Sequence, residues 1–284
     1  MLKLMYITNQ PEIAQIAESA GVDRIFVDLE FIGKNARQKG LDTVISHHSV
    51  RDVGRIKRSV VDAEVLVRVN PIHDKLDDYP SSKEEIDAVI RAGADIVMLP
   101  YFKTVQEVRT FLDLVKGRAR TMLLLETPEA VELVDEILDV PGIDEIHVGL
   151  NDLSIGYRRR FMFELLADGT VEYLCFKFRK KGIPFGFGGI ASIGKGLLPS
   201  EYIIREHYRL GSGCVILSRS FCDVAKLRHI GMINTTFVRG VREIRELERE
   251  CEQHSKFFFD SEKELVRRVD MISAELAEKA KQTY

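Results

Sequence analysis

The sequence lacks paired cysteines, long apolar runs and a marked excess of charge of either sign. Its four cysteines form no CxxC pair and no zinc spacing, so we expect buried thiols in a reducing, cytoplasmic setting. No apolar run approaches the roughly 18 residues of a membrane helix, and the N-terminal MLKLMYITNQ becomes polar too soon to indicate a signal peptide. A formal net charge of −3 over 284 residues does not indicate a nucleic-acid partner.

The sequence does contain eight short apolar runs separated by amphipathic stretches. Most runs are rich in Val, Ile and Leu without clean alternation, which is typical of strands buried on both faces of a sheet. They span residues 2–7, 24–29, 64–69, 95–99, 121–125, 144–149, 183–187 and 213–218. Eight strands with helical crossovers predict an α/β fold, a (β/α)8 barrel over residues 1–225. A doubly wound open sheet is the alternative, but no GxGxxG follows the first run.

Several helices carry their own start and stop signals. Residues 81–93 begin with serines and early acids and end at a glycine, and residues 199–211 begin with a proline and end at a glycine. Residues 226–284 differ, because they are charged and helical and have no strand signals. An apolar stripe of Leu265, Val269, Ile272 and Leu276 fits either the oligomerisation arm of a homo-oligomer or a helix packed on its own barrel.

Polar side chains follow several strands at the end where a barrel enzyme builds its active site. Because several acids together are costly to desolvate unless a cation joins them, they indicate a metal. Hard oxygen ligands suit Mg²⁺ or Mn²⁺, and an arginine would clamp a substrate carboxylate. The set therefore predicts a site for a 2-oxo acid, where ion and arginine stabilise an enolate. It comprises Asp28 and Glu30 after run two, Arg68 in run three, Glu126 after run five and Asp152 after run six.

The acids differ in how well a purely structural role explains them. Asp152, in the segment NDLS, suits helix capping, and Asp28 would serve to orient its neighbours. Glu126 is a poor helix cap and lies between Leu125 and Thr127-Pro128, so it is the strongest candidate metal ligand.

Five segments occur in the order DRIFVDLE, VLVRVNP, GADIVMLPYFKT, LLLETPEAV and GIDEIHVGLNDLS. Together they resemble the HpcH/HpaI class II pyruvate aldolase and citrate lyase β-subunit family over residues 10–220. The resemblance implies a (β/α)8 barrel that acts as a lyase on a pyruvate-like enolate. It also implies that Glu126 and Asp152 bind a divalent metal and that Arg68 holds the oxo acid. The pyruvate pocket would be lined by the backbone of Gly149, Leu150, Asn151 and Asp152.

The sequence departs from this family directly after strand two. Aldolases of this type usually have a histidine after the D-x-E, where it assists proton transfer, and citrate-lyase-like members have an acid, whereas this chain has Phe31. His47 and His48, in VISHHSV, are candidate bases, Glu30 could act through water, and a metal-bound water or a substrate group is a further alternative. An acyl-CoA lyase, a phosphoenolpyruvate-using enzyme and a non-catalytic barrel subunit stay open as functions.

Two basic stretches lie near the predicted mouth of the barrel. GYRRRF follows the DLS turn, and a glycine-rich segment with Lys195 follows strand seven. Glycines let backbone N–H groups approach an anion, so a phosphorylated or polycarboxylate substrate would fit.

Overall fold

Eight parallel strands close into a barrel in the computed structural model, which describes residues 1–34, 48–227, 229–253 and 257–282. Each strand pairs with the next along the chain, and β8 pairs with β1, where Lys3 faces Cys214 and Tyr6 faces Leu217. The predicted (β/α)8 barrel is therefore confirmed. The strands are β1 Lys3–Ile7, β2 Arg24–Asp28, β3 Glu64–Arg68, β4 Ile96–Leu99, β5 Arg120–Leu125, β6 Glu145–Val148, β7 Phe185–Ile190 and β8 Cys214–Leu217.

Helices of the described residues cover the outside of the barrel. Local signals set their ends: Ser81 and Glu84 form a capping box at the start of one helix, and Gly93 ends it with a φ of 103°. The helices are α1 Pro11–Ser19, α2 Val50–Ser59, α3 Ser82–Ala92, α4 Val105–Val115, α5 Pro128–Glu132, α6 Val134–Leu138, α7 Leu150–Gly156, α8 Glu164–Ala167, α9 Thr170–Lys181, α10 Ser200–Leu210, α11 Ile230–Gln253 and α12 Phe257–Gln282.

The strands are buried on both faces, as the apolar runs predict. One small cluster fills the barrel interior and includes Met5, Phe26, Leu66 and Met122. The alternate strand residues pack outward with the helices in one continuous core. All four cysteines are free and buried, which agrees with the expectation of buried thiols.

The floor of the barrel is ionic rather than apolar. Arg24 begins β2, is 0% exposed, and donates two hydrogen bonds to Glu145 at 2.8 and 2.7 Å. Its Nε donates to Glu64 at 3.0 Å, and Arg120 pairs with both glutamates. These residues lie at the N-terminal ends of their strands, the end of such barrels that contributes stability rather than catalysis.

The C-terminal helices pack on the barrel. The long helix α11 lies against α1 and α10, and α12 lies across α8 and α10. In the predicted stripe, Leu265 and Val269 are each 1% exposed, and Ile272 and Leu276 pack partly buried against the core. The barrel therefore covers the stripe, so an oligomer contact through α12, which stays a prediction, would need another face. Within the described part of the chain, no helix has the length and apolar character of a membrane span.

Candidate active site

A cavity of about 820 Å³ opens where the strands end at their carboxyl termini. Asp28 is the last residue of β2 and Arg68 the last of β3, while Glu126 directly follows β5. Most of the predicted site residues line this one cavity, namely Asp28, His48, Arg68, Glu126, Gly149, Leu150, Asn151 and Asp152. Glu30 lies against Arg68 instead, and His47 lies outside the described residues.

Arg68 is held rigidly by the two acids of the β2 end. Its Nε and Nη2 each donate a hydrogen bond to Asp28 at 2.8 Å, and its Nη1 lies 3.2 Å from Oε2 of Glu30. Asp28 is 2% exposed and Glu30 0%. Burial alone would raise the pKa of Asp28, but the charges of Arg68 and of Lys34 outweigh it and hold that pKa well below its usual range. The guanidinium is thus fixed by a paired, charged carboxylate.

A second buried cation, Lys34, joins the same acids and was missed by the sequence analysis. Its Nζ lies 3.1 Å from Oδ2 of Asp28 and 3.4 Å from Oε2 of Glu30. Lys34 is 4% exposed and lines the cavity. The available signal was its spacing four residues after Glu30, which places the two on one side of a helical turn.

The turn after β2 is shaped by Asn70, which follows β3. Its Oδ1 accepts hydrogen bonds from the backbone N–H groups of Phe31 and Ile32, both at 2.9 Å, and its Nδ2 donates to Glu85 at 2.9 Å. The Phe31 ring packs edge-on against Tyr79, with ring centroids 4.7 Å apart. Phe31 is 41% exposed and is not among the residues that line the cavity. Position 31 therefore faces away from the site in this chain.

His48 is tied to β2 from the other side. Its Nδ1 accepts the backbone N–H of Asp28 at 3.0 Å, so a neutral ring in this arrangement carries its proton on Nε2. The side chain is half-buried and lines the cavity. Of the two predicted histidine bases, His48 is thus the one that the described structure places beside the acids.

Glu126 and Asp152 approach the cavity from β5 and from the start of α7. Glu126 is 3% exposed, and its Oε1 accepts the backbone N–H of Tyr101 at 3.1 Å. Asp152 is 7% exposed and is the third residue of α7. The N-cap of that helix is Gly149, so the capping role considered for Asp152 is not the one it has.

The charges in the site fit a divalent cation. Within the described ranges, no three His, Cys, Asp or Glu side chains form a ready ligand group, so a cage built from protein ligands alone is not found there. Two carboxylates completed by water and substrate are instead the usual manner of binding Mg²⁺. The buried acids also outnumber the buried cations by two, a balance that one divalent ion would neutralise. The acids are Asp28, Glu30, Glu126 and Asp152, and the cations are Lys34 and Arg68.

His147, on β6, is a further lining residue that was not singled out from the sequence. It is 0% exposed, and its Nε2 lies 3.0 Å from the carbonyl oxygen of Gly188, so this nitrogen carries the proton. Burial, together with the charges of Arg24 and Arg68, lowers its pKa from 6.5 to about 4. The ring is therefore neutral near pH 7 and fixes the position of the β7 backbone.

The HpcH/HpaI aldolase/citrate lyase family matches residues 3–166, from β1 into α8. The match covers more than half of the chain and includes all of the acids and cations described above. The chain belongs to this family. Family membership supports a lyase-type enzyme that acts on a small molecule. A comparison with curated proteins finds no match.

Solved structures of two HpcH/HpaI proteins and of a citrate synthase share the fold. One is an HpcH/HpaI family protein from Burkholderia cenocepacia, which is 15% identical and has a TM-score of 0.61. The alignment covers 86% of this chain and 94% of that chain. An HpcH/HpaI aldolase from Desulfitobacterium hafniense has 17% identity, coverages of 86% and 93%, and a TM-score of 0.54. The citrate synthase SbnG has 15% identity, coverages of 76% and 86%, and a TM-score of 0.56. At these identities the likeness establishes the fold alone.

Proposed function

We propose that the protein is a divalent-metal-dependent carbon–carbon lyase of the aldolase type, acting on a 2-oxo acid through a pyruvate-like enolate. One observation carries the proposal. A rigidly held arginine, Arg68, and two buried carboxylates, Glu126 and Asp152, line the same cavity at the strand ends. An arginine beside a two-carboxylate cation site suits a 2-oxo acid, which has a carboxylate next to a carbonyl.

Glu126 and Asp152 would hold the ion, Mg²⁺ or Mn²⁺ by the hardness of their oxygens. When bound, such an ion polarises a carbonyl and stabilises negative charge on its oxygen. Arg68 would bind the substrate carboxylate and enolate oxygen, because its contacts with Asp28 and Glu30 engage three of its five N–H groups. The backbone from Gly149 to Asp152 would form the adjoining wall of the pyruvate pocket.

His48 is the proposed base. In cleavage its Nδ1 would exchange the hydrogen bond from the backbone N–H of Asp28 for the proton of the substrate hydroxyl. The carbon–carbon bond would break at the same time, and its electron pair would become the enolate. The released fragment is then an aldehyde, and the enolate would take a proton at carbon from the protonated His48 to give the oxo acid, which returns His48 to its neutral form. Glu30 would act through Arg68, because it is fully buried against that guanidinium.

The size of the cavity favours a substrate larger than pyruvate. A volume of about 820 Å³ lies in the range that holds drug-sized molecules. The wall after β8 contributes Ser218, Arg219 and Ser220, which suit a phosphorylated or polycarboxylate co-substrate. The same volume also suits a citrate- or malyl-CoA-like acyl lyase or a phosphoenolpyruvate-using enzyme, which we keep as the second candidate. We further propose a cytoplasmic homo-oligomer, for which light scattering after size exclusion is the test of assembly.

Exchange of the pyruvate methyl protons with deuterium, followed by NMR, tests the enolate chemistry directly. We expect exchange that depends on added Mg²⁺ or Mn²⁺ and falls at least about a hundredfold in Glu126→Gln and Arg68→Lys, since each removes transition-state charge stabilisation. Lys103→Met is the matched control, because Lys103 pairs with Glu129 at the same barrel end without lining the cavity. A wild-type protein with neither metal affinity nor exchange would instead be a non-catalytic barrel.

A further inference from the structure

The charged residues behind Arg68 form a closed ring of alternating sign. Arg68 contacts Asp28 at 2.8 Å and Glu30 at 3.2 Å, and Lys34 contacts the same two acids at 3.1 and 3.4 Å. Each cation therefore lies against both anions. All four side chains are at most 13% exposed, so water screens the ring little.

Lys34 changes the net charge that an incoming anion meets. Of the four charges in this ring, removal of Lys34 would leave two carboxylates and one guanidinium, so the net charge of these four described positions would change from neutral to negative. This negative charge would repel an approaching 2-oxo acid even with Arg68 in place. With Lys34 present the ring is neutral, and the remaining N–H groups of Arg68 can bind an anion at a smaller electrostatic cost.

We propose that Lys34 is a positioning residue that keeps Arg68 competent to bind anionic substrate by neutralising Asp28 and Glu30. The inference rests on the proposed function in one respect, namely that the substrate is an anion held by Arg68. It does not make Lys34 a substrate ligand, because the contacts of its Nζ are with the two carboxylates. The turn that carries Lys34 is held to the β3 end by Asn70, so the ammonium reaches the acids from a defined backbone.

Charge rescue separates this role from a merely structural one. The probe is oxalate, a stable dicarboxylate of enolate-like shape, titrated calorimetrically into protein with Mn²⁺. Lys34→Met should weaken oxalate binding about tenfold or more, which is about 1.4 kcal/mol, and Lys34→Arg should stay within a few-fold of the wild type. The double variant Lys34→Met with Glu30→Gln removes one charge of each sign and should recover most of the affinity. Lys103→Met should bind as the wild type does.

Different results would overturn the inference about Lys34 and the proposed function of the protein. If the wild type and Lys34→Met bound oxalate equally well, that result would overturn the inference alone. So would a double variant that binds no better than Lys34→Met, because packing damage from the first substitution is not repaired by the second. A wild-type protein that binds no oxalate with Mn²⁺ would overturn both the proposed function and the inference. Thermal unfolding of each variant confirms that the compared proteins are folded.

Discussion

Gly149 lies directly against the carboxylate of Glu126. A Cβ placed on Gly149 would come within 2.6 Å of Oε2 of Glu126 and 2.8 Å of its Cβ. The backbone N–H of Gly149 also donates to the carbonyl of Leu125 at 2.9 Å, so the two segments cannot easily separate. The absence of a side chain at the start of α7 thus allows Glu126 and Asp152 to line one cavity.

Gly149→Ala should therefore weaken metal binding and lower metal-dependent activity without unfolding the protein. Overpacking of this kind costs about 1–3 kcal/mol, and here it displaces the carboxylate that we assign to the metal. We expect Mn²⁺ affinity, measured by calorimetry, to fall at least about tenfold. Gly156→Ala is the matched control, because its Cβ would meet Pro128 at 2.6 Å instead of a carboxylate. Equal losses of metal affinity in both variants would contradict the assignment.

Phe31→His should leave pyruvate proton exchange within a few-fold of the wild type. Position 31 packs against Tyr79, so an imidazole placed there would stay outside the cavity. His48→Gln should slow the same exchange by at least about a hundredfold, as expected for loss of a general base. A large gain in Phe31→His, or normal exchange in His48→Gln, would show that the base is misassigned.

Protonation of His147 should destabilise the fold in mild acid. Its pKa falls from 6.5 to about 4 on folding, chiefly through burial, so the unfolded chain takes up the proton first as the pH decreases. Stability linked to His147 is therefore present above pH 6.5 and is lost between that value and about 4. The loss amounts to about 3 kcal/mol by linkage.

Urea unfolding at several pH values measures this effect. His147→Gln keeps a donor for the carbonyl of Gly188 but cannot titrate, so its stability should fall less over the same pH range. His207 is also buried, and its pKa is lowered by burial and further by the charge of His147, so the comparison measures His147 together with its interaction with His207. Parallel curves for the two proteins would refute the prediction.

Arg24→Met should lower stability strongly while leaving the activity of the folded enzyme intact. It removes the fully buried one of the two arginines that bridge Glu145 and Glu64 in the barrel floor, and breaking a buried pair costs about 3–5 kcal/mol. Arg239→Met, which removes an exposed pair with Glu243, should change the free energy of unfolding by less than about 1 kcal/mol. If well-folded Arg24→Met lost oxalate affinity, the prediction would be wrong, and the ionic floor of the barrel would also support ligand binding.

Much of the barrel and several of the site residues were predictable from the sequence, because their signals are local. Apolar runs buried on both faces indicate parallel strands, and caps such as Ser81 with Gly93 mark helix ends within a few residues. The strand ends then bring Arg68, Glu126 and Asp152 to one mouth, since the carboxyl ends of a barrel's strands share one rim. The segments around these residues also carry the resemblance to the family.

The other features of the site could not be predicted from the sequence, because they depend on which side chains of different strands and helices contact one another. Lys34 in the charge ring, the Asn70 contact that aligns the β2 turn, and the fit of Gly149 against Glu126 all join residues from different elements. His147 likewise has its lowered pKa because the barrel buries it, which no neighbour in sequence reveals. The sequence by itself thus determined the strand order and the acids at the strand ends through short-range periodicity and turn chemistry. Only the tertiary structure decided which charges compensate one another, because electrostatic pairing and desolvation depend on distances between strands rather than along them.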